Sequence, residues 1–268
     1  MPSMESNKAK IAKRVVEVLE FFDADHPRAT VMDIVRRFNR PQSSTSELLS
    51  SLVELGLLYK DPYSRSYSPT PRAALLACSV QKGIVRDGRL SSLVDRLSAQ
   101  TGLAVAVFGM VGLNVQIFGW RNGHTALRSA RAEGFCGGSQ DQLAQSAAGW
   151  LLLSTVPQPR REGLLRRLNA EATDDRKFSH VAMMACLQDI RDRGHASGIA
   201  GFGSICDVTA ALLPGQPEGE PLAVGFVYEP SDHIQSTALL DCLLDGIARC
   251  TESAEDSVNP AHLLSNAA

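Results

Sequence analysis

Residues 39–56 read NRPQSSTSELLSSLVELG, and the apolar residues among them keep helical spacing. Leu48, Leu49, Leu52, Val53 and Leu55 gather on one side of an α-helix, so that side is built for burial. Gln42, Ser43, Ser46, Glu47 and Ser50 occupy the other side. Small and amide-bearing groups let a helix approach a surface closely and hydrogen-bond to it, as entry into a DNA major groove requires. A packing unit with a solvated face has the same pattern.

Upstream, TVMDIVRRF (30–38) reads as a shorter helix, with Thr30 as N-cap and Asp33 as its capping-box partner. Val31, Ile34, Val35 and Phe38 form its inner side. Asn39 tolerates the left-handed backbone that ends helices, and Pro41 suits the first position of the next one. Ser44 with Glu47 makes a competing capping box one turn later. Two short helices across a tight turn spell a helix-turn-helix. KAKIAKRVVEVLEFF (8–22) adds a first helix whose stripe of Ile11, Val15, Val18, Leu19 and Phe22 covers the other two.

Past Gly56, LLYK and YSPT read as strands around the turn DPYSRS, which places a hairpin wing directly behind the helix-turn-helix. Its tip offers Lys60, Tyr63, Ser64 and Arg65 for phosphate and sugar, with Arg65 able to reach a minor groove. A solvated hairpin needs nothing more than the same residues.

A chain of 268 residues is long enough for two domains, and 44% hydrophobic with 21% charged residues is ordinary for a globular protein. The N-terminus lacks an apolar signal core and no apolar run reaches membrane-spanning length, so a cytoplasmic location is expected. Cysteines 78, 136, 186, 206, 242 and 250 are scattered and read as reduced, buried hydrophobes, not metal ligands. The motifs of common hydrolases, zinc proteases and phosphate-loop enzymes are missing, so no catalytic residue, metal or cofactor is assigned. Residues 1–72 carry 11 Lys and Arg against 9 Asp and Glu, whereas the remainder carries 16 against 20. That asymmetry points weakly to the N-terminal part as the side facing a polyanion.

With its SST and paired leucines behind the NRP turn, the run from Thr30 to Pro69 resembles the winged helix of the IclR family of bacterial transcriptional regulators. Asn39 stands where that family usually has glycine, and Glu47 where arginine is common. The second change removes a phosphate or guanine contact and leaves a carboxylate that can accept from cytosine N4, so a different operator sequence is expected.

Beyond the wing, residues 69–83 and 90–101 read as linker helices, the second with a stripe of Leu90, Leu93, Val94 and Leu97 that also suits a dimer seam. LAVAVFGM, NVQIFGW and ALRSAR are strand-like. Ser139 is expected to cap a helix over 140–153, followed by helices in PRREGLLRRLNAEA and FSHVAMMACLQDIRDRG, the latter ending at Gly194. CDVTAALL, the loop PGQPEGEP, the strand LAVGFVY and a helix from Ser231 to about Cys250 complete the pattern. Clustered strands with helices on one side make an α+β domain with an antiparallel sheet. Ser146-Ala147-Ala148-Gly149, Arg193-Gly194-His195-Ala196 and the strands around Ala210 and Ala223 resemble, in order and spacing, the IclR effector domain, related to GAF-like sensors.

The resemblance covers about residues 8–250. It implies a winged helix-turn-helix over 1–72, linker helices over 73–101, a GAF-like effector domain over 102–250 and a polar tail, 251–268, of disordered composition. It further implies a dimer or tetramer that binds double-stranded operator DNA and a small effector, and controls a catabolic operon. Arg40, Gln42, Ser43, Ser44, Ser46, Glu47, Lys60 and Arg65 are the expected DNA contacts, with Arg72 a further backbone contact. The matching effector positions are Phe135 and Ser146 to Gly149 on one side of the pocket, and Asp207 to Thr209 on the other. Phe226 and Tyr228 share a strand face where relatives often have serines, so either an aromatic or apolar ligand stacks on them or they fill the cavity as core. Arg128 and Arg131 are candidate carboxylate anchors or solvent-facing residues, and Trp120 and Trp150 are expected in the core or an interface. The alternative function is a sensor or enzyme domain whose helix-turn-helix serves dimerisation or protein docking.

Overall fold

The computed structural model describes residues 7–23, 26–78, 83–127, 135–216, 219–231 and 233–255. Two compact units divide the chain, Met1–Lys82 and Gly83–Ala268.

In the first unit, α1 (Asn7–Glu20), α2 (Val31–Phe38) and α3 (Gln42–Glu54) precede the hairpin of β1 (Leu58–Lys60) and β2 (Tyr67–Pro69). Leu49 and Leu52 of α3 are fully buried against Val18, Ile34, Leu58 and Tyr67. Leu55, expected inside, is 59% exposed, because it ends the helix as C-cap and the last turn no longer faces the core. A bridge between Ala29 and Tyr67, with N···O distances of 2.9 and 2.7 Å, ties the segment before α2 to the hairpin. The hairpin is thereby held as part of the unit. The helix α4 (Pro71–Cys78) follows it.

The second unit is built on one six-stranded antiparallel sheet, β3 (Ala104–Val111), β4 (Asn114–Arg121), β5 (Gln140–Gln142), β6 (His195–Ile199), β7 (Asp207–Leu212) and β8 (Leu222–Tyr228), in the order β5-β4-β3-β8-β7-β6. Its remaining helices are α5 (Gly83–Arg86), α6 (Arg89–Thr101), α7 (Ala147–Ser154), α8 (Arg160–Glu171), α9 (His180–Arg193) and α10 (Ser236–Glu255). Alternation along the strands feeds two apolar layers. Val105, Val107, Ala211, Val224 and Phe226 face α6 and α10, while Ala106, Phe108, Val208, Ala210, Ala223 and Val227 face α7 to α9. Helices therefore cover both faces of the sheet, not one. Helix α6, expected in the linker, buries Leu93, Val94 and Leu97 beside Leu243 and Ile247 of α10 and belongs to the second unit.

The stretch expected as one helix over 140–153 is divided. Gln140–Gln142 pairs with Asn114–Gln116 as an edge strand, Leu143–Gln145 forms a 3-10 turn, and Ser146 starts α7 by accepting from the Gly149 amide at 3.0 Å. The segment HASGI is the edge strand β6, where the sequence reading assigned no element. Most of ALRSAR, with Arg128 and Arg131, and residues 256–268 of the polar tail lie outside the described residues.

Glycines permit two close approaches, of α7 to the turn before it and of β8 to β7. A Cβ on Gly149 would stand 2.1 Å from the Leu143 carbonyl oxygen, and one on Gly225 would stand 2.8 Å from the Ala210 side chain. Gly149→Ala should therefore force α7 from the turn before it and cost about 1–3 kcal/mol, read as a lower denaturation midpoint. An unchanged midpoint would contradict the packing. Leu52→Ala should cost about 2–5 kcal/mol through the cavity it leaves in the first unit.

Candidate nucleic-acid interface and effector site

The two helices of the helix-turn-helix have defined ends. The Asp33 Oδ2 accepts from the Thr30 amide (2.8 Å) and hydroxyl (2.7 Å), while the Asp33 amide returns a bond to Thr30 Oγ1 at 3.4 Å. These donors hold the Asp33 carboxyl below the usual carboxylate range. Asn39 ends α2 in the left-handed region at φ 48°, so it supplies the backbone that glycine gives elsewhere. Pro41 is the N-cap and not the first helical residue. Its carbonyl accepts from the Thr45 amide (3.2 Å) and from the hydroxyls of Ser44 (3.2 Å) and Thr45 (2.9 Å), so the Ser44–Glu47 box does not form.

Of the predicted readers on α3, Gln42, Ser43 and Glu47 are exposed, and Ser44 and Ser46 are half-buried at the edge of the same face. Ser50 extends the exposed strip. Thr45 is buried at 4% exposure and marks where the strip turns inward. Arg40 is placed differently. Its guanidinium pairs with Glu17 of α1 and lies 5.4 Å from the Phe38 ring centroid. An arginine committed to α1 positions the turn instead of facing outward.

Asp61 closes the hairpin. Its Oδ1 accepts from the amides of Tyr63 (2.8 Å) and Ser64 (3.3 Å), which lowers the carboxyl's pKa, and Arg28 lies 3.6 Å from Oδ2. The turn raises Tyr63, 95% exposed, and leaves Arg65 exposed with φ 55°. Lys60 is exposed, with its Nζ 5.5 Å from the Tyr67 ring centroid. Arg72 is also exposed. Arg36 and Arg37, in the last turn of α2, are two exposed cations that the sequence reading passed over. A spacing that gave α2 a buried face through Val35 and Phe38 also gave it an outer basic pair.

The seven predicted effector residues divide between the two faces of the sheet. Phe135, Ser146 and Gly149 lie in the layer of α7. Ser146 and Gly149 serve as the cap and the close contact of that helix, and both are buried. Phe226 and Tyr228 share a face as expected, but that face is packed under α6 and α10, where they are 0% and 5% exposed. They are core on the side of the sheet opposite Ser146. Thr209 lies with them: its hydroxyl is 3.0 Å from the Tyr228 hydroxyl and accepts from Ser197 at 3.2 Å. Asp207 is the register partner of Tyr228 and is half-buried.

On the α7 side, an aromatic group gathers that the sequence reading saw only in part. A bulge at Phe118, the extra residue between the Val107–Gly119 and Phe108–Ile117 pairs, turns Trp120 to the same side as Ile117. Trp120 stacks on Phe135 at 5.2 Å, Phe135 meets Phe202 at 5.8 Å, and Phe202 meets Phe108 at 6.5 Å. Phe202 has φ 55°, and its amide donates to the buried Asp141 Oδ2 at 2.6 Å. The paired glycines of Gly201-Phe202-Gly203 were the available signal for an unusual loop. Neither Phe108 nor Asp141 carried one.

The first unit has the build of a winged helix-turn-helix, and the second is an antiparallel sheet flanked by helices. Residues 12–62 match the model of the IclR helix-turn-helix domain. The fold of nearly the whole chain is that of the IclR transcriptional regulators. The IclR transcriptional regulator from Alicyclobacillus acidocaldarius is 18% identical over 92% of this chain and 96% of its own, with a TM-score of 0.54. An IclR homologue from Microbacterium hydrocarbonoxydans, solved in complex with 4-hydroxybenzoate, is 17% identical over 90% and 97%, with a TM-score of 0.54. The Thermotoga maritima IclR is 16% identical over 91% and 96%, with a TM-score of 0.53. No curated protein matches the sequence. Among the described residues, no helix is long and apolar enough to cross a membrane.

The hydrogen-bonded Asp33 and Asp61 carboxyls make part of the first unit's stability pH-dependent. Because the Asp33 and Asp61 carboxyls titrate lower in the fold than in the unfolded chain, what they contribute is complete above about pH 3.9 and is lost as pH falls through their folded values. Asp33→Asn should flatten the acid limb of the first unit's stability curve, and Thr30→Ala should cost about 1 kcal/mol at neutral pH. A steeper acid limb in Asp33→Asn would contradict this.

Proposed function

We propose that the chain is a ligand-responsive regulator that binds operator DNA as a dimer or a pair of dimers, with α3 in the major groove and the wing on the backbone. The observation that carries this reading is the strip of Gln42, Ser43, Ser46, Glu47 and Ser50, which lies opposite the buried Leu49 and Leu52. In it Gln42, Ser43, Ser44, Ser46 and Glu47 meet base edges or nearby phosphates, Lys60 and Arg65 hold the backbone, and Arg40 braces α1 against the turn. The exposed Glu47 and a surplus of only two basic residues over 1–72 favour a helix-turn-helix used for protein docking instead, and DNA binding decides between the two.

The effector in this reading is an aromatic or apolar catabolite of the operon controlled. Support comes from the rings of Trp120, Phe135, Phe202 and Phe108 beside α7, and from the 4-hydroxybenzoate held by the Microbacterium homologue. Two-state coupling requires the ligand to bind one disposition of the paired winged helices better than another, because half-site spacing must match the dimer.

Arg65→Asn suits the positive φ and removes the charge. It should weaken binding to the DNA flanking the gene on all sequences and lower the salt slope by about one. Gln42→Ala should change sequence preference, with a cost of about 1–3 kcal/mol at one position. Arg40→Ala should lower stability by about 1 kcal/mol or less and leave the salt slope in place. Equal losses on every sequence for the Arg65 and Gln42 variants would contradict this division. In thermal shift, aromatic acids should stabilise the chain, and stabilisation by short oxoacids alone would overturn the effector assignment.

A further inference from the structure

At the end of α7 away from the Ser146 cap, a cleft of about 370 Å³ opens between β3, the start of α8, α9 and the loop that joins β7 to β8. Its walls include the aliphatic side chains of Met110, Val156, Leu212 and Pro221, and its polar groups include Arg160 and Arg191. Both arginines are exposed, and neither has a carboxylate partner among the described residues. The acids that share their helices are engaged elsewhere. Glu162 pairs with Arg166, Glu171 with Arg167 and Asp189 with Arg193, while Asp192 accepts from Gln188 at 2.9 Å. Glu220 on the loop is exposed and does not line the cleft.

Behind this pair lies a third cation. Arg161 is 2% exposed, and it donates from Nε to the Val156 carbonyl at 2.8 Å and from Nη2 to the Ser154 carbonyl at 2.9 Å. Those carbonyls, at the negative end of α7, take the place of a carboxylate. Burial, with the nearby Arg191 charge, pulls the Arg161 pKa below its ordinary value. Among the described residues no carboxylate lines the cleft, so its charged groups are all cationic and suit an anion.

We propose that this cleft is a binding site for a short aliphatic carboxylate, with its head held by Arg160 and Arg191 and its chain against Met110, Val156 and Leu212. The planar guanidinium fork matches a carboxylate with two parallel bonds. Among the described residues the walls hold no aromatic ring, which favours a flexible hydrocarbon body over the flat molecule assigned to the α7 ring cluster. An inorganic anion would leave those walls uncovered.

Titration calorimetry of the full chain with hexanoate and its neutral counterpart hexanamide tests the proposal. Hexanoate should bind saturably at millimolar concentrations or below, and hexanamide should not. The Arg160→Gln/Arg191→Gln double variant should weaken hexanoate at least about tenfold, with each single variant intermediate and thermal midpoints unchanged. Crystals soaked in 6-bromohexanoate should show the bromine's anomalous signal inside the cleft. Absence of saturable hexanoate binding, equal binding of hexanamide, undiminished binding by the double variant, or bromine found only elsewhere would each overturn it. None of these readouts involves DNA or α3, so they stand apart from the regulator reading.

Discussion

Burial of Leu49 and Leu52 against Val18, Ile34, Leu58 and Tyr67 sets the orientation of α3, and through it everything the first unit presents. A rotation by one residue, about 100°, would in one sense bring Leu49 and Leu52 outward in place of the Gln42–Ser46–Ser50 strip. The apolar contact therefore does two things. It holds three helices and a hairpin together, and it fixes which side chains face outward. Asn39 with its left-handed backbone and the Arg40–Glu17 pair act on the turn from which α3 leaves α2, while Thr30 with Asp33 fixes the start of α2. None of these lies on the outward strip.

The second unit solves a different problem, that of covering both faces of a six-stranded sheet. Where α7 packs on the sheet the layer is built from the small residues Ala147, Ala148, Ala210 and Ala223. Toward β3 and β4 the layer is filled by rings instead, and the bulge at Phe118 is what brings Trp120 into it. The opposite face, with Phe226, Tyr228 and Thr209, is closed by α6 and α10. A ligand between sheet and helix in this protein would meet the ring cluster, and one at the far end of α7 would meet guanidinium groups.

Elements whose signal is local were legible in the sequence. The capping box at Thr30, the αL stop at Asn39, the Leu49–Leu52 stripe of α3 and the glycine end of α9 all rest on residues a turn apart, and the structure shows each. What the sequence hid depends on distant partners. Gln140–Gln142 is a strand because Asn114–Gln116 offers an edge, and β6 exists because β7 does. Period two told correctly that Phe226 and Tyr228 share a face. It could not tell which helices cover that face, and the family resemblance grouped them with Ser146 and Gly149, which lie across the sheet. Arg40 was misplaced for the same reason: its partner Glu17 lies on another helix, 23 positions away.

The most direct test of the account is selection of duplexes from a random pool by the purified full chain at low ionic strength. Recovery of a sequence motif with two half-sites at fixed spacing, lost when the spacing is shifted by half a helical turn, is the predicted result. Failure to retain duplex of any sequence would contradict the claim that the serine-bearing side of α3 is a DNA-reading surface.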